Sequence, residues 1–116
     1  MILAVLDDLL FSSKIKTASA QLGIVVRFAR TSADALTEMR NSVPALVIFD
    51  LDSRRTDPLA TLAQMKSDPA LAAIPTVAFA SHVHADAIGA ARAAGMDDVL
   101  PRSAFTMRLA DILRNA

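Results

Sequence analysis

Short apolar runs alternate with amphipathic stretches five times along this chain. Residues 2–6, 24–29, 45–49 and 76–80 are rich in Val, Ile, Leu and Phe and mostly lack polar alternation, and 99–100 is a shorter fifth run. Such runs predict strands buried on both faces, as in a parallel sheet covered by helices. After the first run, Phe11, Ile15, Ala18 and Leu22 keep helical spacing, and Gly23 marks the stop. Thr31 or Ser32 suits the cap of a second helix that buries Leu36 and Met39. Asp57-Pro58 predicts a third helix start, with the carboxylate accepting from the first free amides and proline at the first helical position. Leu59 and Leu62 would face inward there, and Pro69 lies beyond the end. A fourth helix is expected over 85–94, ending at Gly95, and a last one after Ser103 that buries Phe105, Leu109 and Ile112.

Strand–helix alternation repeated five times implies parallel strands joined by right-handed crossovers, with helices on both faces. At 116 residues the expected architecture is a single domain, 1–116. Its fold class is α/β: a doubly wound, flavodoxin-like, five-stranded parallel sheet of order 2-1-3-4-5. The Ala-rich stretch AIGAARAAG at 87–95 reads as closely packed helix, not low complexity.

Charge and composition narrow the functional classes. Twelve basic residues balance twelve acidic ones, so the counterion-displacing excess of a general nucleic-acid binder is missing. The absence of cysteine removes disulfides, thiolate metal sites and thiol catalysis, and fits a reducing compartment. The start, MILAVL, meets Asp7 and Asp8 without a basic leader, unlike a secretory signal. The longest apolar run, 70–80, contains Pro75 and falls short of the ~20 residues that span a bilayer. A cytoplasmic protein is expected, touching neither nucleic acid nor membrane. Gly23, Gly89 and Gly95 are the only glycines, so no loop can cradle a nucleotide or flavin phosphate.

In this architecture the crevice lies beyond the carboxyl ends of the strands, where the order reverses between the first and third. Asp7 and Asp8 follow the first run and Asp50 ends the third. Carboxylates so close raise one another's pKa unless a cation neutralises them. An oxygen-lined pocket with few ligands suits Mg²⁺, which can steady charge on a phosphoryl group passing to a carboxylate. Any one of these acids, alone, is also what a strand end returning to water would show. Ser81, His82 and Asp50 have the residue types of a hydrolytic triad, but adjacent Ser81 and His82 are badly placed and no nucleophile elbow is present. His82 and His84 with Asp86 could ligate a transition metal, though exposed loop histidines are the plainer reading. Arg54 and Arg55 read as solvated charge, and the five methionines as core.

Four segments in order, ILAVLDD, ALVIFDLD, LATLAQMKSDPALAAIPTVAFAS and AARAAGMDDVLPRSAF, together resemble the response-regulator receiver domain, the CheY-like module of two-component (phosphorelay) signalling. The resemblance implies a regulatory domain, not an enzyme. Its phospho-acceptor would be Asp50, charged from a histidine kinase's phosphohistidine. Mg²⁺ would be held by Asp7, Asp50 and the main-chain carbonyl of Asp52, with Asp8 as a further candidate. Ser81 and Arg102 would stand near the family's hydroxyl and lysine positions. Partners would be a histidine kinase or other signalling protein, and a second copy through the face containing Val99 and the last helix.

The pattern is also eroded. The first of the family's paired acids falls on Leu6, the strand-four hydroxyl on Ala80 with Ser81 one residue late, and the switch aromatic on Val99. The lysine falls on Arg102, the proline after it on Ser103, and the proline and glycine of the loop beyond the acceptor on Arg54 and Pro58. Arginine keeps the charge, but its rigid fork does not mimic an ammonium point charge. The expectation is a degenerate receiver with a weakened Mg²⁺ site. The alternative is a phosphorylation-independent scaffold or dimerisation module.

Overall fold

The computed structural model describes residues 1–81 and 85–116. Its elements are β1 (Ile2–Val5), α1 (Leu9–Leu22), β2 (Val26–Ala29), α2 (Ser32–Asn41), β3 (Leu46–Asp50), α3 (Pro58–Ser67), β4 (Thr76–Ala80), α4 (Ala85–Ala93), β5 (Asp98–Pro101) and α5 (Arg102–Arg114). The strands form one parallel sheet in the order β2-β1-β3-β4-β5, as the unalternated runs predict. β1, β3 and β4 are buried along their whole length, which is why their sequences carry no polar alternation. Among the described residues no helix is long and apolar enough to cross a membrane.

Strand alternation divides the core in two. Ile2, Ala4, Leu6, Ile48 and Phe79 pack with Phe11, Ile15, Phe105 and Leu109 of α1 and α5 on one face. Leu3, Val5, Val47 and Phe49 pack with Leu36, Met39, Leu62 and Met65 of α2 and α3 on the other, where Ala91 of α4 also joins. The parallel register sets Val5 beside Phe49 and Asp50 beside Phe79, so β1, β3 and β4 reach the same rim together.

Local signals place most boundaries. Thr31 caps α2 by accepting from the Asp34 N–H at 3.2 Å, and Gly23 closes α1 with the positive φ of 68° that glycine tolerates. Five expectations fail. Asp57 does not cap α3: its backbone is left-handed (φ 40°, ψ 68°), a conformation from which the carboxylate makes no bond to the first amides. The start is secured by Thr61, whose buried hydroxyl lies 2.7 Å from the Thr56 carbonyl oxygen and 2.9 Å from that of Asp57. The inward stripe of α3 is therefore Pro58, Thr61, Leu62 and Met65, and Leu59, one position off it, is 36% exposed.

α5 begins at Arg102, before Ser103, and buries Phe105, Leu109 and Leu113 at fourfold spacing, leaving Ile112 half-buried. Met39, Met65 and Met96 are core, but Met107 on α5 is 87% exposed.

Thr61 ties the loop beyond β3 to the first turn of α3. Thr61→Val keeps the shape and removes the hydroxyl, so urea unfolding is expected to show a loss of about 1 kcal/mol. Amide exchange should quicken in residues 53–57, and an unchanged midpoint would show that the hydroxyl does not hold the loop.

Candidate functional site

Asp50 is the last residue of β3 and only 3% exposed. Its Oδ1 accepts from the Asp52 N–H at 2.9 Å, because the chain turns immediately after the strand. One residue further, the buried Ser53 donates its hydroxyl to Asp7 Oδ1 at 2.8 Å, stitching the β3 loop to the end of β1. Asp8 caps α1: its Oδ1 accepts from the Phe11 N–H at 3.0 Å.

Arg102, the first residue of α5, gathers these acids. Its Nη1 lies 3.3 Å from Asp8 Oδ2, and its Nη2 lies 3.7 Å from Asp50 Oδ2 and 3.6 Å from Asp52 Oδ2. The guanidinium carbon sits 4.9 Å from the ring centre of Phe11 and 5.2 Å from that of Phe79. Those rings are 4.6 Å apart, and Phe79 contacts Phe105 at 4.7 Å, so the cation rests on a three-ring aromatic base. The Ser81 N–H donates to Asp52 Oδ2 at 3.1 Å, joining the end of β4 to the same cluster.

The two perturbed carboxyls move oppositely. Burial pushes Asp50 above the ordinary carboxylate range, and the charges of Asp52 and Asp8 push the same way, against the Asp52 N–H and the Arg102 guanidinium. The Phe11 N–H holds Asp8 below that range, with Arg102 helping and burial opposing.

Asp8, Asp50, Asp52 and Arg102 thus converge, and Asp7 joins them through Ser53. Ser81 reaches the cluster through its backbone amide, since β4 has ended at Ala80. Leu6 is buried in the α1–α5 core where a paired acid would otherwise stand, and Ala80 and Val99 are also buried. Arg54 and Arg55 are exposed. His82 and His84 lie outside the described residues, so the readings that used them have no structural counterpart here.

Ser53, the side chain of Asp52 and the aromatic base of Phe11 and Phe79 were not legible as site residues. Phe11 and Phe79 read as core, which they also are, and a serine beside acids carries no distinctive pattern. The capping role of Asp8 did have a signal, an aspartate standing immediately before the helical run.

Mg²⁺ requires near-octahedral oxygens that are not otherwise engaged. Here Asp8 spends one oxygen on the helix cap and the other on Arg102, Asp7 Oδ1 is held by Ser53, and a fixed positive charge faces Asp50 Oδ2. Among the described residues no group of three or more His, Asp or Glu is arranged to hold a metal ion. As arranged, the donor set does not fit a divalent ion, and Asp8 caps α1 with one oxygen while the other faces Arg102.

The model of the response regulator receiver domain family matches residues 2–114. The chain belongs to the response-regulator receiver family. It is a receiver domain of two-component signalling, a regulatory class. The structure superimposes on the phosphorylated cyanobacterial phytochrome response regulator RcpA with a TM-score of 0.81 at 26% identity, covering 98% of this chain and 88% of that one. The receiver domain of NtrX from Brucella abortus gives 0.85 at 21% identity, covering 99% and 96%. The chemotaxis response regulator CheY4 of Vibrio cholerae gives 0.83 at 15%, covering 98% and 95%. No curated protein matches the sequence.

Because folding raises the Asp50 pKa, the folded chain binds more protons than the unfolded one between the ordinary and raised values. Stability contributed by this group therefore falls as pH rises through that window. Asp8 acts in the opposite sense, adding stability above the ordinary carboxylate value that is lost as pH falls through its lowered one. Asp50→Asn should melt a few degrees above wild type at pH 7, followed by circular dichroism, with the difference shrinking once the medium is acidic enough to protonate Asp50 in both states.

Proposed function

We infer that this receiver domain is a regulatory protein-interaction module in which Asp50 accepts a phosphoryl group slowly, from a histidine kinase or a small donor. The observation that carries the reading is the placement of Asp50. Its Oδ1 is held by the Asp52 N–H at the end of a central strand, and its Oδ2 lies 3.7 Å from a fixed guanidinium.

In the transfer, Asp50 Oδ2 attacks phosphorus, the P–N bond of the phosphohistidine breaks as the P–O bond forms, and the released imidazole nitrogen takes up a proton. The Asp52 amide, the Ser81 amide and Arg102 are the nearest donors to the incoming oxygens, each exchanging its present carboxylate partner for the phosphoryl group. The missing side-chain hydroxyl at Ala80 argues for slowness, since loss of one preorganised donor costs roughly 10²–10³ in rate. That RcpA, at 26% identity, was crystallised phosphorylated supports the acceptor assignment.

With Val99 where an aromatic would respond, output is assigned to a partner that reads the domain's surface. A second reading, a scaffold indifferent to phosphate, is favoured by one feature: Arg102 already neutralises the cluster.

Incubation with acetyl phosphate in Mg²⁺-containing buffer, followed by intact mass, should show one phosphate gained by wild type and none by Asp50→Asn. Ser81→Ala should gain it at the wild-type rate, because Ser81 reaches the cluster through its amide. No gain in wild type under donor excess establishes the scaffold reading instead.

A further inference from the structure

The acid cluster contains its own cation. We propose that the Arg102 guanidinium is the resident counter-ion of this site, so that the domain keeps its carboxylates together without metal and admits Mg²⁺ only by displacing Arg102. The inference is independent of whether Asp50 is ever phosphorylated.

Three observations carry it. The first is reach. Two nitrogens of one side chain address three carboxylates, Nη1 facing Asp8 at 3.3 Å and Nη2 facing Asp50 at 3.7 Å and Asp52 at 3.6 Å. A lysine ammonium, a single point charge, could not fork in this way.

The second is support. Phe11 and Phe79 lie beneath the guanidinium at 4.9 and 5.2 Å, and its Cα opens α5 directly after Pro101, which is paired with Ala80 in the sheet. Swinging the side chain out would give up the aromatic contacts and the ion pairs at once. The third is the state of the oxygens. The helix cap, the Ser53 hydroxyl and the Asp52 amide already engage Asp8, Asp7 and Asp50, and Leu6 removes a further carboxylate from the rim. A divalent ion arriving here meets a like charge held within a few ångströms and a depleted donor set.

The test is Mg²⁺ titration of the full chain, read by calorimetry and by the amide shifts of Asp7, Asp50 and Asp52. Wild type should show no saturable binding through the low millimolar range, and its melting temperature should not respond to Mg²⁺. Arg102→Met keeps an aliphatic stem over the rings and removes the charge. It should bind Mg²⁺ roughly tenfold more tightly or better, and gain melting temperature with the ion. Arg102→Lys should fall between.

Equal affinity in wild type and Arg102→Met, or weaker binding by the variant, overturns the proposal. Should Arg102→Met fail to fold, arginine side-chain NMR of wild type decides. Restricted rotation of the Arg102 guanidinium in the metal-free protein, released only where Mg²⁺ binds, upholds the assignment, and free rotation without Mg²⁺ or Mg²⁺ binding with the restriction retained refutes it. Neither readout depends on phosphate transfer, so failure here and failure of the acceptor reading are separable.

Discussion

A carboxylate removed from water at the end of a central strand has to be neutralised or hydrogen-bonded, and Asp50, at 3% exposure, sets that requirement for everything around it. The structure meets it from three directions. The turn after β3 presents the Asp52 amide to one oxygen, the start of α5 presents Arg102 to the other, and the β3 loop is tied back to β1 through Ser53 and Asp7. None of these supports is local to the others in sequence. They coincide because β1, β3, β4 and β5 run parallel in one register and deliver their carboxyl ends to a common rim. A partner removed from such an arrangement leaves an uncompensated buried charge, which costs far more than the pair contributes when intact.

What could be read beforehand divides along physical lines. Strand identity and order follow from hydrophobic period and from the crossover rule, which act on residues close in sequence, so the 2-1-3-4-5 sheet and the delivery of Asp7, Asp8 and Asp50 to one rim were foreseeable. Arg102 was legible only through the resemblance to the receiver family, which puts it at the lysine position just after β5. Side-chain assignments that depend on backbone angles or on tertiary partners were not foreseeable. Asp57 has the composition of a cap but a left-handed backbone that withholds it, while Asp8, offered only as a further ligand candidate, has the extended backbone of a working cap. The Ser53–Asp7 bond joins residues 46 apart, and no spacing rule reaches that far.

Arg102 also changes what the aromatic core does. Phe11, Phe79 and Phe105 pack as any apolar cluster on the α1–α5 face would, yet two of them lie against a guanidinium. Lysine with a metal ion and arginine on an aromatic base are two physical answers to the same excess of negative charge. The first leaves oxygens open for a mobile ion. The second spends them on fixed bonds, as Asp8 does between its cap and Arg102.

How a charge change at Asp50 could reach the surface follows from the same contacts. Val99, where an aromatic might have moved, is 2% exposed and packed in the α2–α4 half of the core, with its carbonyl accepting from Arg92 at 3.2 Å. Nothing at that position can swing between pocket and solvent. Arg102, by contrast, contacts Asp50 with its head and belongs to α5 with its backbone, and its hydroxyl-bearing neighbour one turn on, Thr106, donates to the Arg102 carbonyl at 2.9 Å. The ion pair with Asp8 extends the same contact to the first turn of α1, beside the exposed Leu9 and Leu10. On the proposed function, a shift of the guanidinium would therefore act first on the adjoining ends of α1 and α5, the two elements that Arg102 joins.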